Sequence, residues 1–279
     1  MSRNHYPLRR LAAALSLAAL AGCTGMNTTQ SGAIGVNRTQ YMSSMVPSQA
    51  LEQEANQQYA DILKQAKAKN LLDRDAKQVA RVRAISQRLI AQAGVFRPDA
   101  SAWKWEVHVL TSDEVNAWCM PGGKIAVYTG LINKIKPTDD ELAAVLGHEI
   151  SHALREHARE RVSQQMATNL GLQVLSIATG SSAASDLGGK LSDVMFTLPN
   201  SRTHETEADR MGVELAARAG FDPRAAVTLW QKMGAADSGN APPEILSTHP
   251  SAASRIADLQ GAAQQVLPLY EQARSRAAR

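Results

Sequence analysis

Two histidines and a glutamate carry the strongest chemical signal in this sequence. His148, Glu149 and His152 form the pattern H-E-x-x-H inside a stretch of helical periodicity over about 139–161. Because four residues of α-helix complete slightly more than one turn, His148 and His152 point the same way from adjacent turns. Two imidazoles placed in this way can share one Zn²⁺, and Glu149 stands beside the metal, where a general base belongs. The alternative is an amphipathic helix that carries two exposed histidines.

A later stretch of helical pattern carries two acids one turn apart. Glu205 and Asp209 share one face of a helix that we predict to end near Gly220. A zinc site built on two histidines needs a third protein ligand, and Glu205 can supply it. Asp209 can accept a hydrogen bond from the far nitrogen of a ligand histidine and so fix its tautomer. A solvated helix face is the alternative for this pair taken alone. His204 and Glu207 lie off that face, so we leave them out of the predicted site.

The elements that must position these residues are mostly helical. Helical periodicity extends over about 48–70 and 74–93, and alternation over 103–110 predicts a half-buried strand. A Pro-Gly-Gly turn precedes a second strand at 125–128. This second strand lies either at the rim of a cleft, where an extended peptide could pair with its free edge, or inside the sheet. The predicted fold class is therefore α+β, mostly helical, with a small β-sheet.

The chain after the H-E-x-x-H helix contains a segment of different composition. The helical pattern continues over about 158–179, and residues 179–200 are rich in Gly and Ser with one apolar patch. Such a segment beside a cleft is either a mobile lid or a static loop. Helical patterns return at 225–233 and at about 252–278.

The first 22 residues have the pattern of a secretory signal. Three arginines are followed by a run of twelve mostly apolar residues, 11–22, which is too short to span a bilayer. The run leads into Leu-Ala-Gly-Cys at 20–23, which resembles a bacterial lipobox. That resemblance implies that residues 1–22 are removed and that Cys23 carries the lipid anchor. A plain secretory signal with an incidental cysteine is the alternative.

The residues after the signal predict a tether and one large domain. Residues 23–47 are polar and rich in Thr, Ser, Asn and Gly, so we expect a flexible tether that holds a domain at 48–279 off the membrane. No Asp follows Cys23, which by resemblance favours the outer membrane. The other cysteine, Cys119, is predicted to be a buried, small apolar residue.

The charge of the chain gives no sign of a nucleic-acid partner. The formal net charge of +4 falls to +1 once the three arginines of residues 1–22 are removed. No Lys/Arg-rich patch with interleaved aromatic residues is present in the sequence.

Four separate blocks of the sequence together resemble a known family. The blocks are the H-E-x-x-H pattern, the Ser201-Arg202-x-x-Glu205 block that ends at Asp209, the sequence Ser247-Thr248-His249-Pro250 followed by Arg255, and the segment 116–130 around Pro-Gly-Gly. In this order they resemble the zinc metallopeptidases that include CAAX prenyl protease, HtpX and the β-barrel assembly-enhancing protease BepA. The resemblance covers about residues 75–260.

This resemblance implies a zincin-type metallopeptidase domain that holds one Zn²⁺ per chain. It implies His148, His152 and Glu205 as metal ligands and Glu149 as the catalytic base. By the same analogy His249 approaches the metal, where it either closes the site or steadies an oxyanion. Arg255 would assist His249 there.

Taken together, the sequence predicts a zinc-dependent endopeptidase of the Gram-negative envelope. We expect an outer-membrane lipoprotein that faces the periplasm and cleaves misfolded or unassembled envelope proteins. The alternative from another class is a lipid-anchored chaperone or assembly factor for outer-membrane proteins, in contact with their assembly machinery, whose zinc site is latent or structural. Hydrolysis of peptidoglycan cross-links is a third, weaker hypothesis.

Overall fold

Helices make up most of the structure, a computed structural model that describes residues 23–177, 187–236, 245–249 and 253–277. The strands are β1 (Cys23–Met26), β2 (Gln40–Ser43), β3 (Glu106–Leu110), β4 (Ala117–Met120) and β5 (Lys124–Tyr128). The α-helices are α1 (Ser48–Ala68), α2 (Ala76–Ile90), α3 (Asp139–Leu154), α4 (His157–Ile177), α5 (Leu187–Phe196), α6 (Arg202–Arg218), α7 (Ala225–Ala236), α8 (Ile245–Thr248) and α9 (Ala253–Ala277). This content confirms the predicted mostly helical α+β fold.

A three-stranded sheet with the order β3-β5-β4 separates two apolar cores. Successive side chains of a strand point to opposite faces, so Ile125 and Val127 of β5 enter the larger core and Ala126 the smaller. Strand β5 pairs in parallel with β3 and antiparallel with β4. The strand at 125–128 therefore lies inside the sheet, and the edge next to the H-E-x-x-H helix belongs to β4. The strand predicted from residue 103 begins only at Glu106.

Helix α3, which carries the H-E-x-x-H pattern, begins with a capping box. The Thr138 hydroxyl accepts a hydrogen bond from the backbone N–H of Glu141, whose carboxylate accepts one from the backbone N–H of Thr138. Leu142, Leu146 and Ile150 are fully buried in the larger core. These contacts fix the helix so that its histidines face inward.

The predicted continuous helix over 139–161 is wrong at one point. Helix α3 ends at Leu154 and α4 begins at His157, because Glu156 adopts a left-handed backbone with φ of 51°. The side chain of Arg155 is fully buried among long-range partners, and Glu156 is held by Arg97 at 2.7 Å. These tertiary contacts override the local helical periodicity and redirect the chain at His157.

Two glycines let α3 and α6 cross in backbone contact. A Cβ atom added to Gly147 would lie 2.8 Å from the carbonyl oxygen of Gly212, and one added to Gly212 would lie 2.7 Å from the backbone nitrogen of His148. No residue larger than glycine fits at this crossing without a backbone shift. The close approach brings the first turns of α6 beside His148.

The expected flexible tether over 23–47 is corrected by the structure. Strands β1 and β2 form an antiparallel ribbon, and Ile34 and Val36 enter the larger core. The backbone N–H groups of Ala33 and Ile34 donate to the buried carboxylate of Glu214 at 3.0 and 2.8 Å. We call residues 27–46 the strap. Thr29, Gln40 and Ser43 of the strap are buried, and Thr29 and Gln40 bind the side chain and the carbonyl oxygen of Arg155. Composition alone does not reveal these contacts.

Part of the predicted lid is a packed helix. Helix α5 contacts α1 and α4, and its Leu191 and Val194 are buried. Residues 179–186 of the predicted lid and residues 1–22 of the predicted signal lie outside the described residues.

Within the described ranges, no helix combines the length and apolar character that crossing a bilayer requires. Cys119 is a buried free thiol, as predicted.

Candidate metal centre and active site

Four buried side chains from separate parts of the chain converge at one point. They are His148 and His152 of α3, Glu205 of α6, and His249 just after α8, and one donor atom from each lies within 4.8 Å of the others. The Nε2 atoms of His148 and His152 are 3.0 Å apart. The Glu205 carboxylate oxygens lie 3.5 Å from His148 Nε2 and 3.4 Å from His152 Nε2. The structure thus brings the three predicted ligands together and adds His249 to them.

The tautomer of His148 follows from its partner on α6. The Asp209 carboxylate accepts from His148 Nδ1 at 3.0 Å. Arg255 donates to both oxygens of Asp209, at 2.8 and 2.7 Å, and so holds this carboxylate in place. Because Nδ1 carries the proton, the His148 Nε2 atom presents a lone pair to the cluster.

The tautomer of His152 follows from a second histidine. His152 Nδ1 lies 2.8 Å from Nδ1 of His157, whose Nε2 donates to Glu207 at 3.0 Å. Burial lowers the pKa of His157 to about 3 despite its bond to Glu207, so this ring is neutral and its Nδ1 accepts. Burial likewise lowers the pKa of His152 well below its usual value. His152 therefore donates from Nδ1 and also presents an Nε2 lone pair to the cluster.

The donor set fits Zn²⁺. Two lone pairs face each other 3.0 Å apart beside a carboxylate, and such an arrangement is repulsive unless a cation lies among them. Burial opposes ionisation of Glu205, but His249 and His148 hold its pKa well below the usual range, so it is a carboxylate. Two histidines and one carboxylate are a ligand set of catalytic zinc sites, which keep a fourth position open.

Glu149 lies beside this cluster rather than in it. Its Oε1 atom is 3.6 Å from His249 Nε2 and has no hydrogen-bond partner among the described residues. Burial raises the pKa of Glu149, although His249 and His148 act in the opposite direction. A buried carboxyl group with an oxygen that accepts no hydrogen bond is placed to exchange a proton with a molecule bound beside the ligands.

His249, which follows α8, also contacts the cluster. Its Nδ1 atom lies 2.9 Å from Glu205 Oε1 and 3.1 Å from His148 Nε2. Burial opposes protonation of His249, but Glu205 and Glu149 outweigh it and raise its pKa to about 9. The ring of His249 stands where a fourth ligand or a substrate oxygen would be placed.

Arg255 lies behind the ligands instead of facing the cleft. Its Nη1 atom is 2.8 Å from Glu205 Oε2, two other nitrogens bind Asp209, and the guanidinium stacks 3.8 Å from the ring centroid of Trp230. The assisting role next to an oxyanion, which the resemblance implied, does not fit this position. Arg255 is placed to orient Glu205 and Asp209.

A cleft of about 270 Å³ opens over the cluster. Glu149, His152 and His249 lie at its base, and Trp118 and Phe196 form an apolar wall with ring centroids 5.5 Å apart. Strand β4 runs along the cleft, and its outer edge has no strand partner in the part of the chain that the structure describes. An extended chain can therefore lie along β4 with a backbone amide above the cluster.

The fold and this site define a zinc metallopeptidase of the H-E-x-x-H type. The ligand histidines stand one helical turn apart, and a carboxylate from a later helix completes the metal site. The chain belongs to peptidase family M48, whose sequence profile matches residues 76–263.

Several curated proteins are similar to this chain. Mitochondrial metalloendopeptidase OMA1 of Bos taurus is 37% identical over 226 residues, which are 77% of this chain and 42% of that protein. OMA1 of Arabidopsis thaliana is 42% identical over 151 residues, 54% of this chain and 30% of that protein. The β-barrel assembly-enhancing protease of Escherichia coli K12 is 31% identical over 204 residues, 68% of this chain and 40% of that protein. The chain thus spans less than half the length of each of these relatives.

The residues that hold His152 were not among those predicted from the sequence. Glu207 was judged to lie off the functional face of α6, yet it binds His157 at 3.0 Å. The spacing gave no signal of this contact, since His157 follows His152 by five residues. In a continuous helix this spacing would turn the two side chains about 140° apart, and only the break at Glu156 brings them together.

Proposed function

We propose that this protein is a zinc endopeptidase that cleaves polypeptides lying along the outer edge of β4. The observation that carries the proposal is the position of Glu149. Its Oε1 atom, which accepts no hydrogen bond from the described residues, is buried beside the predicted ligands at the base of the cleft. In a purely structural zinc site, four protein ligands fill the coordination sphere, and a buried carboxyl group beside them that does not bind the metal is not required.

Each residue of the site has a separate role in the proposed hydrolysis. When bound, Zn²⁺ supplies a Lewis acid that polarises the scissile carbonyl and lowers the pKa of water to about 7. Glu149 accepts a proton as water adds to the carbonyl carbon, and it passes this proton to the amide nitrogen as the C–N bond breaks. Asp209 keeps His148 in the tautomer that binds metal. No covalent intermediate with the protein is needed.

The edge of β4 accounts for substrate binding without strong sequence preference. Main-chain hydrogen bonds to an edge strand hold a peptide in register and read little of its sequence. Such pairing requires an extended substrate, so unfolded or unassembled proteins are the substrate class that we propose. The apolar wall of Trp118 and Phe196 would take an apolar side chain next to the cleaved bond.

The proposed location rests on the N-terminal sequence. The signal pattern and the lipobox-like sequence at 20–23 support a lipoprotein anchored at Cys23 in the outer membrane, facing the periplasm. Similarity to the β-barrel assembly-enhancing protease agrees with an envelope substrate and with contact to outer-membrane assembly machinery. The mitochondrial relatives are at least as similar, so the relatives by themselves do not favour one compartment.

A direct assay compares the full chain with its Glu149→Gln variant. Both are loaded with zinc and given casein and an unfolded outer-membrane protein. The substitution removes the base and leaves the three ligands, so zinc content should stay at one ion per chain while cleavage is lost. Cleavage by the variant at the wild-type rate would show that Glu149 is not the catalytic base. A wild-type chain that binds no zinc would contradict the proposal that the protein is a zinc endopeptidase.

A latent site in a chaperone or assembly factor is the second candidate function. The observation in its favour is the 2.9 Å contact of His249 with Glu205, which places the imidazole at the open position. If this ring blocks the site, His249→Ala should cleave casein faster than the wild type. If His249 instead steadies the oxyanion, the same substitution should slow cleavage.

A further inference from the structure

A buried polar network lies next to His152, around its Nδ1 atom. The rings of His157 and His204 stack with centroids 4.4 Å apart. Glu207 accepts a hydrogen bond from His157 Nε2 at 3.0 Å, and Glu160 accepts one from His204 Nε2 at 3.1 Å. All four side chains are buried. Burying so many ionisable groups is costly unless each has partners, and the chemistry proposed above uses none of them directly.

The network reaches the metal site through a contact between two ring nitrogens. His157 Nδ1 lies 2.8 Å from His152 Nδ1. The other ligand histidine, His148, is held directly by the Asp209 carboxylate. For His152 a neutral imidazole is inserted between the ligand and its carboxylate, Glu207. The orientation of His152 therefore depends on two successive residues being in place.

The strap supplies the cation that completes this network. Arg38 donates to Glu207 from Nε at 2.7 Å and from Nη2 at 3.1 Å. The same guanidinium donates to Glu160 from Nη1 and Nη2, both at 2.8 Å. Arg155, fully buried, also donates to Glu207 and reaches the strap at Asn27 and at the carbonyl oxygen of Arg38. Glu207 is thus held by two arginines, and Glu160 is held by Arg38.

Arg38 lies outside the part of the chain that matches the family profile, residues 76–263. The matched part contributes His152, His157, Glu207 and Arg155, but not Arg38, the arginine that joins Glu207 to Glu160. We propose that the strap is a positioning element of the zinc site, in which Arg38 fixes Glu207, Glu207 fixes His157, and His157 fixes the ring of His152. This inference rests on the proposed zinc enzyme.

A purely structural network predicts something different. If the network only fastens the strap to the domain, breaking it lowers the stability of the zinc-free and zinc-loaded protein equally and leaves zinc affinity unchanged. If it positions His152, breaking it weakens zinc binding and reduces the increase in Tm that zinc produces. Zinc affinity therefore separates the two.

The experiment measures the zinc dissociation constant of the full chain by competition with a chelator, together with Tm with and without zinc. His157→Phe removes the acceptor for His152 and should weaken zinc binding about 10- to 100-fold. His157→Asn should restore part of the affinity, because its amide oxygen stands near the former Nδ1 position. Arg38→Ala should weaken binding in the same direction by a smaller factor.

Arg83→Ala is the matched control. Arg83 forms a partly exposed ion pair with Asp73 at 2.8 Å, as Arg38 does with its partners, but lies on α2 outside the network. This control should leave zinc affinity unchanged. If His157→Phe does not fold, the zinc affinity of Arg38→Ala tests the proposal instead. The Arg38 side chain is 31% exposed, so its truncation should leave the fold intact. Wild-type zinc affinity in Arg38→Ala overturns the proposal, whereas a wild-type chain without zinc refutes the proposed enzyme instead.

Discussion

Gly147 of α3 and Gly212 of α6 are in backbone contact at the point where the two helices that carry the predicted ligands cross. The contact places His148, the next residue along α3, beside Glu205 and Asp209, which precede Gly212 on α6. The distance between an imidazole on one helix and two carboxylates on another is thus set by the absence of two side chains.

Gly212→Ala should separate the helices and disturb the metal site. The new methyl group would lie 2.7 Å from the backbone nitrogen of His148, and overpacking of this kind costs about 1–3 kcal/mol. We expect a lower free energy of unfolding in urea and a lower zinc content after dialysis. Gly261→Ala is the control, because no atom lies within 4 Å of its added Cβ and the change should stabilise helix α9 by about 0.5–1 kcal/mol. Equal stability of the two variants would contradict the crossing argument.

Arg255→Ala should weaken zinc binding without touching a ligand atom. Arg255 is buried between Glu205 and Asp209, and its loss leaves both carboxylates without their cation. Removing one partner of a buried ion pair costs about 3–5 kcal/mol. Arg210→Ala breaks the half-exposed pair with Asp258 that also joins α6 to α9, and a surface pair is worth at most about 1 kcal/mol. Calorimetry of both variants, with zinc titration, checks the difference.

The stability of the zinc-free chain should fall in acid partly because of Glu207. Burial opposes its ionisation, but hydrogen bonds from His157 and Arg38 hold its pKa at about 2, against an ordinary value of 4.5. A carboxyl group with a lowered folded pKa stabilises the fold above the unfolded pKa, and this stabilisation is lost as pH falls from about 4.5 toward 2.

The Glu207→Gln variant isolates this contribution. One pKa unit corresponds to about 1.4 kcal/mol, so unfolding free energies measured between pH 6 and pH 3 should fall less steeply in the variant. An unchanged slope would show that other carboxylates carry the acid sensitivity.

Cys119 should resist thiol reagents in the folded protein. Burial, assisted by Glu149, raises the pKa of this thiol well above its usual value, so little thiolate forms at pH 8. In a Cys23→Ser chain Cys119 is the sole cysteine. Labelling should be slow in buffer and fast in urea. Rapid labelling of the folded chain would mean that the cleft wall opens readily.

The residues that sequence analysis placed at the site are those with a local geometric signature. His148 and His152 are one helical turn apart, and so are Glu205 and Asp209, so each pair can be found from spacing alone. The strap has no such signature. Arg38 meets Glu160 and Glu207, which lie 122 and 169 positions further along the chain. Its polar neighbours have the composition of a linker, and the break at Glu156 depends on tertiary contacts that periodicity does not encode.

Cys23 is the first residue of β1 and pairs with Ser43 of β2. With the acyl group that we propose on Cys23, the bilayer would be joined directly to a ribbon that is continuous with the strap, without slack between them. The enzyme would then work at a nearly constant height above the lipid. Polypeptides stalled at the membrane surface would come within its reach, and folded proteins diffusing freely in the surrounding compartment would seldom be cut.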